Sequence, residues 1–204
     1  MKKLTLLLSI LLCSFNSQAT LLSIDLNDNN YQIGDVLTAD FIISDIEKDS
    51  LSFQKLLASF DFSLSWDNTM INYVSSSFGN KLDVDPFLPS DQFTDIANIM
   101  SGHLDLTEIS YALGFDLFAA QDGLNNFVLA RVSFNVIDAG TGSGELGLSN
   151  INFGDDLSDA LTDVHSNDKA YTVTLGNPIN VPEPTALTLM LVGLMLFIRK
   201  RSMN

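Results

Sequence analysis

The stretch ASFDFSLSW at residues 58–66 alternates without a break: Ala58, Phe60, Phe62, Leu64 and Trp66 on one side, Ser59, Asp61, Ser63 and Ser65 on the other. A period of two puts successive side chains on opposite faces of an extended chain, so this segment reads as a strand with one face buried. Residues 128–136 repeat the pattern through Val128, Ala130, Val132, Phe134 and Val136. Leu37, Ala39, Phe41 and Ile43 do the same, as do Tyr171, Val173 and Leu175. Shorter or less regular runs at 22–26, 70–74, 109–115 and 145–151 bring the expectation to eight strands.

Turn chemistry separates them: DNN at 28–30, WDN at 66–68, GN at 79–80, QDG at 121–123 and AGTGSG at 139–144. The body of the chain carries no sustained period of 3.6. The one exception is SDQFTDIANIM, where Ser90 is placed to cap a short helix presenting Phe93, Ile96 and Ile99. Many one-sided strands joined by turns are buried best as two facing sheets. The expected fold is therefore all-β, an antiparallel β-sandwich over residues 20–180, with no internal repeat and no second domain.

Both termini differ from this body. Lys2 and Lys3 followed by an apolar run from Leu4 to Leu12 have the form of a secretory signal peptide, too short to span a bilayer. Ser17 and Ala19 supply the small residues a signal peptidase reads, which sets the expected cut after Ala19. The only cysteine, Cys13, leaves with that segment. The mature domain then has no disulfide, and thiol catalysis and thiolate metal sites are excluded. Between Thr20 and Asn180 five bases stand against twenty-four acids, a net of −19. Such a surface repels nucleic-acid backbones and anionic lipid, so no nucleic-acid partner is expected.

The C-terminus is similar to the PEP-CTERM sorting signal of Gram-negative exported proteins. Val181-Pro182-Glu183-Pro184 precedes the apolar residues 185–198, and Arg199-Lys200-Arg201 closes the run. A Pro-Glu-Pro stretch is stiff and extended, suited to presenting a peptide at a membrane surface. Fourteen residues rise only about 21 Å as a helix, short of a hydrocarbon core of about 30 Å. The resemblance implies recognition by an exosortase, a transient stay in the inner membrane as a single transmembrane helix, and release to the cell surface or extracellular matrix.

The middle of the chain resembles a cohesin-type domain, a jelly-roll sandwich related to some carbohydrate-binding modules. The matching pieces are IGDVLTADFIISD at 33–45, ASFDFSLSWDNTMINYVSSSFG at 58–79 and FVLARVSFNVIDAGTGSGELGLSNINFGD at 127–155, while residues 81–106 depart from the pattern. This implies a binding module rather than an enzyme. Its expected ligand is carbohydrate of the exopolysaccharide. The alternative is protein–protein adhesion to another surface protein, as cohesins dock their partners, and a second alternative is a matrix polysaccharide hydrolase.

Candidate sites are few. Asp25, Asn27 and Asn29 begin a calcium-loop pattern, which fails where Asn30 replaces the turn glycine and Val36 the bidentate acid. The acidic stretch at 154–168 offers Asp155, Asp156 and Asp159, with Asp163 and Asp168 beyond, as calcium ligands; no other cofactor is expected. His103 and His165 lack partners at ligand spacing and read as surface loop residues. Neither G-x-S-x-G nor H-E-x-x-H occurs. Phe60 and Trp66 fall on an apolar strand face and read as core. Tyr31, Tyr73 and Phe87, in less regular contexts, are the candidates for stacking on sugar rings.

Overall fold

In the computed structural model, structure is described for residues 19–49, 51–84, 95–140 and 142–175. The chain divides into two compact units, Met1–Thr174 and Leu175–Asn204. The fold below is that of the first; of the second only Leu175 is described.

The strands are β1 (Thr20–Leu26), β2 (Asn30–Gln32), β3 (Val36–Ser44), β4 (Leu57–Ser65), β5 (Ile71–Phe78), β6 (Asp95–Met100), β7 (His103–Ile109), β8 (Asn126–Val136), β9 (Ser143–Asp155), β10 (Val164–Ser166) and β11 (Lys169–Thr174). Among the described residues one helix, α1 (Gly114–Gln121), lies between β7 and β8. Five strands form one sheet in the order β10-β1-β3-β8-β5, and six form the other in the order β2-β11-β9-β4-β7-β6. The expected sandwich is present, with a refinement. Two short pairings, β1 with β10 and β11 with β2, are parallel, so the sheets are not purely antiparallel.

Alternation puts the core where the sequence places it. Leu37, Ala39, Phe41 and Ile43 of β3 are fully buried, and Phe60, Phe62 and Leu64 of β4 face them from the other sheet. Phe41 and Phe62 meet across the sandwich at 5.1 Å between ring centroids, and Phe60 stacks on Phe62 at 5.6 Å. Each fully buried ring of this kind stabilises the fold by roughly 1.5–3 kcal/mol. Trp66 and Phe60 are both core residues, as the strand pattern implies.

Three regions depart from the sequence reading. Residues 95–100, expected to continue a helix from Ser90, form β6 and pair with β7 from Asp95↔Glu108 to Met100↔His103. Pairing with β7 along one edge supplies a register of six residue pairs, where a short, weakly periodic helix would be marginal on its own. Residues 109–115, expected as a strand, are instead the end of β7, a loop and the start of α1. Both histidines lie on strands, His103 on β7 and His165 on β10, rather than in loops. The expected leader, the apolar segment 185–198 and Ser90 lie outside the described residues. Among the described residues no helix is long and apolar enough to cross a membrane.

Candidate binding surfaces

α1 is held from its buried side. Leu117 is 1 % exposed and Gln121 fully buried. The Gln121 amide closes a bidentate clamp on the start of β4: Leu57 N–H donates to Oε1 at 2.8 Å, and Nε2 donates to the Leu57 carbonyl at 2.7 Å. Nε2 also donates to the Lys81 carbonyl at 3.1 Å. The helix begins at Leu113, which has no side-chain cap. It ends where Gly123 takes φ +74°, a left-handed conformation that glycine adopts without steric cost.

The outer side of this region is apolar. Ile109, Tyr111, Leu113 and Phe115, the alternate residues of the expected strand, are 46, 66, 62 and 68 % exposed, and Phe118 is 53 % exposed. Phe115 and Phe118 are spaced i, i+3 and share one face of α1. A loop from β9 runs alongside, since a Cβ on Gly114 would lie 3.0 Å from Asp156 Oδ2. The next residue, Leu157, is 77 % exposed. Isolated exposed leucines are ordinary, but several large side chains within one turn and its approach form a patch of the kind that marks interaction sites. Asp116 and Asp122 adjoin these residues in sequence, and Asp156 reaches the start of α1.

The outer face of the six-stranded sheet has a different character. Its small polar side chains satisfy one another across the strands. Thr107 Oγ1 donates to Asp61 at 2.7 Å, Ser63 Oγ to Asp105 at 2.7 Å, and Asn150 Nδ2 to Ser63 Oγ at 3.1 Å. The Ser63 hydroxyl, with His103 Nε2 at 2.8 Å, holds the Asp105 carboxyl below its ordinary value. The β4–β9 ladder slips between Asp61 and Ser63, close to Asn150 at φ +52°. Beside it a shallow cavity of 220 Å³ lies among Ser59, Asp61, Thr107, Ile109 and Asn152.

The sequence-derived candidates separate. Tyr31 is not a stacking surface: it is 2 % exposed, packs edge-on against Tyr171 at 6.4 Å, and donates its hydroxyl to Asn27 Oδ1 at 2.9 Å. Burial pushes its phenol above the ordinary value. The turn containing Asp25, Asn27 and Asn29 is tied up in this way as a hairpin staple, because Asn27 Oδ1 also accepts from Thr38 N–H at 2.7 Å. Tyr73 is half-buried at a cleft described below, and Phe87 lies outside the described residues.

Asp155 is 5 % exposed and structural. Its Oδ1 accepts from the backbone N–H groups of Leu157 and Asp159 at 3.0 and 2.8 Å, and Oδ2 lies 3.6 Å from Lys55 Nζ. That carboxylate staples its own loop, while Asp156 and Asp159 are exposed. Asp168 Oδ1 accepts from Leu148 N–H at 2.8 Å. Among the described residues no three histidine, cysteine or acidic side chains gather as a metal site. Ala19 directly precedes Thr20, which is fully buried at the head of β1 and donates its N–H to the Asp163 carbonyl at 2.8 Å. Val181, Pro182, Glu183, Pro184, Arg199, Lys200 and Arg201 lie outside the described residues.

The architecture defines a class of protein by its fold: a cohesin-like β-sandwich. The sixth cohesin of scaffoldin B from Acetivibrio cellulolyticus, solved in complex with a Cel5 dockerin, is 21 % identical; the match covers 77 % of this chain and 99 % of that one at a TM-score of 0.56. The cohesin module of a family 33 glycoside hydrolase from Clostridium perfringens is 12 % identical over 78 % of this chain and 98 % of its own, with a TM-score of 0.57. The cohesin of a type I cohesin–dockerin complex from Clostridium thermocellum is also 12 % identical, over 75 % and 99 %, at 0.57. No family model matches the sequence, and no curated protein matches it significantly.

Proposed function

We propose that the chain is a non-catalytic adhesion module of the cell surface, which docks a partner protein through the apolar patch on and around α1. The observation that carries this reading is the exposure of Tyr111, Leu113, Phe115 and Phe118 on a rigidly clamped element. Interface cores are enriched in aromatic residues, and anchors on ordered backbone lose little entropy on binding. The cohesin-like fold supports the same reading, because solved cohesins with this architecture are held in complexes with dockerins. The partner's complementary surface is apolar with Lys or Arg at its rim, because Asp116 and Asp122 adjoin the patch in sequence and Asp156 reaches the start of α1, on a domain of net charge −19.

Export through the N-terminal leader and sorting through Val181–Pro184 and Arg199–Arg201 complete the proposal. An exosortase-type enzyme is the processing partner, and the inner membrane a transient station. Replacing Pro182-Glu183-Pro184 with alanines should leave uncut, membrane-associated protein; unchanged release into the medium overturns the sorting part.

For the docking part, surface proteins of the producing cells are passed over immobilised wild-type protein and over Phe115→Asp/Phe118→Asp. A specific protein should be retained by the wild type, weaken with rising salt, and be lost from the variant while its melting temperature holds. Equal retention by both overturns the patch. A concentration-dependent dimer of the wild type alone, with no other protein bound, would identify a second copy as the occupant instead.

A further inference from the structure

At the other end of β4 from α1, the sandwich opens into a cleft. Among the described strands, β5 is outermost in the five-stranded sheet and β6 in the six-stranded one. Between them, where the β4–β5 and β6–β7 turns approach, lies a cleft of 440 Å³, within the size range of small-ligand sites. Its walls include Trp66, Asn68, Asn72, Tyr73, Met100 and Ser101.

The walls are fixed in place. Trp66 and Tyr73 both pack edge-on against Phe134, at 5.1 and 6.4 Å. Trp66 N–H donates to the Gly102 carbonyl at 3.0 Å. Gly102 sits at φ +73°, where a Cβ would come within 2.9 Å of the Trp66 carbonyl oxygen, so the β6–β7 turn lies directly on Trp66. Asn68 Nδ2 donates to Ser101 Oγ and ties the two turns together. Tyr73 hydroxyl and Ser76 Oγ are hydrogen-bonded at 3.0 Å, which orients the tyrosine ring. The Trp66 Nε1–H, enclosed in this wall, has no acceptor among the described residues.

The chemistry of the lining is selective. Among the described residues no charged side chain lines the cleft, on a domain with twenty-four acids. The nearby Asp67 carboxylate is engaged by Thr69, whose N–H and hydroxyl donate to it at 2.8 and 2.6 Å. An anion therefore meets no cation here, and a cation finds no carboxylate in the wall. Two carboxamides and a hydroxyl remain, Asn68 and Ser101 keeping further donor and acceptor capacity beyond their mutual bond, with the Tyr73 side chain in the same lining. Vicinal hydroxyls on an apolar ring carry the complementary pattern. A peptide strand is disfavoured on the β5 side, because the β5–β8 ladder slips between Tyr73 and Ser75 and Val74 bulges outward, 49 % exposed.

We propose that this cleft is a binding site for a neutral saccharide, with Tyr73 as the stacking face and Asn68, Asn72 and Ser101 as the hydrogen-bonding rim. The inference goes beyond the docking of a protein partner and does not rest on it, since a strand of nine residues separates the two sites.

Trp66 is the chain's single tryptophan, so its emission reads the cleft directly. Purified protein is titrated with gluco-, galacto-, manno- and xylo-configured oligosaccharides at millimolar concentration, with oligogalacturonate as an acidic control. At least one neutral series should change the emission saturably. The exposed Asn72→Ala should weaken that response by about tenfold or more, the size of one lost hydrogen-bonding partner, at an unchanged melting temperature. Tyr73→Ala should abolish the response. No saturable change with any neutral series, an equal response in Asn72→Ala, or an equal response to oligogalacturonate overturns the proposal.

Discussion

Replacing Gln121 with leucine removes three hydrogen bonds at once, and the cost is not that of three average bonds. Both Leu57 backbone groups lose their partner in a residue with no solvent exposure, whereas the Lys81 carbonyl belongs to a half-buried residue and regains water. Leaving a buried backbone group unsatisfied costs about 1–3 kcal/mol, so the two groups of Leu57 together cost about 2–6 kcal/mol. The leucine side chain returns part of this through apolar burial, on the order of 1 kcal/mol over glutamine's own methylenes. A net loss of about 3 kcal/mol corresponds to a fall of roughly 6–12 °C in melting temperature for a domain of this size. Thermal unfolding followed by circular dichroism measures it. A useful companion is Gln121→Glu, whose carboxyl donates only when protonated. Burial raises that carboxyl's folded pKa, so the variant's stability is present below the ordinary carboxylate range and is lost as the pH rises through the raised value. A Gln121→Leu protein that melts at or above the wild-type temperature would refute the clamp.

Three further changes probe other parts of the structure. A methyl group on Gly144, which pairs with the fully buried Tyr171, collides with the tyrosine ring, so Gly144→Ala should cost about 1–3 kcal/mol and lower the melting temperature by several degrees. Burial, aided by the Asp67 charge, pushes the Tyr171 phenol up to about 12. Its contribution to stability is complete below pH 10 and is lost between about 10 and 12. Alkaline unfolding of the wild type should therefore be steeper than that of Tyr171→Phe, read by circular dichroism across that window. Arg131 and Asp40 face each other across β8 and β3 in a bidentate pair with N–O distances of 2.5 and 2.6 Å, but the arginine is more than half exposed. Arg131→Ala should accordingly change stability by at most about 1 kcal/mol in chemical denaturation.

The sandwich was legible because three of its long strands follow a single rule. Where one face of a strand is buried against the facing sheet and the other meets water, period two is written into the residues, as in β3, β4 and β8. β2 and β10 have three residues each, too few to show a period, and they exist because β11 and β1 offer them parallel partners. β6 was hidden for another reason. Its Ile99 points to the interior side, opposite Leu104, yet is 51 % exposed at the sandwich edge, so the residue pattern there reports the open edge rather than a core. Calcium was suggested by acid density alone, and density does not distinguish a ligand from a carboxylate already accepting two backbone N–H groups, as Asp155 does.

The same reasoning explains why α1 escaped notice and why that matters for function. Sequence patterns locate elements by assuming that apolar residues are inside. In α1 and its approach the assumption mostly fails: Gln121 is inside beside Leu117, holding β4 by its amide, while Ile109, Tyr111, Leu113, Phe115 and Phe118 are outside. Their alternation mimics the buried face of a strand, and no strand is there beyond Ile109. A fold that buries an amide and exposes five large apolar side chains along one stretch forgoes part of the hydrophobic stabilisation available to it. That stabilisation is recovered if a second surface covers the patch. Residues 109–115 are thus the most informative departure from the strand pattern: they look like core, and under the proposed docking they are the half of a core whose other half a partner would supply.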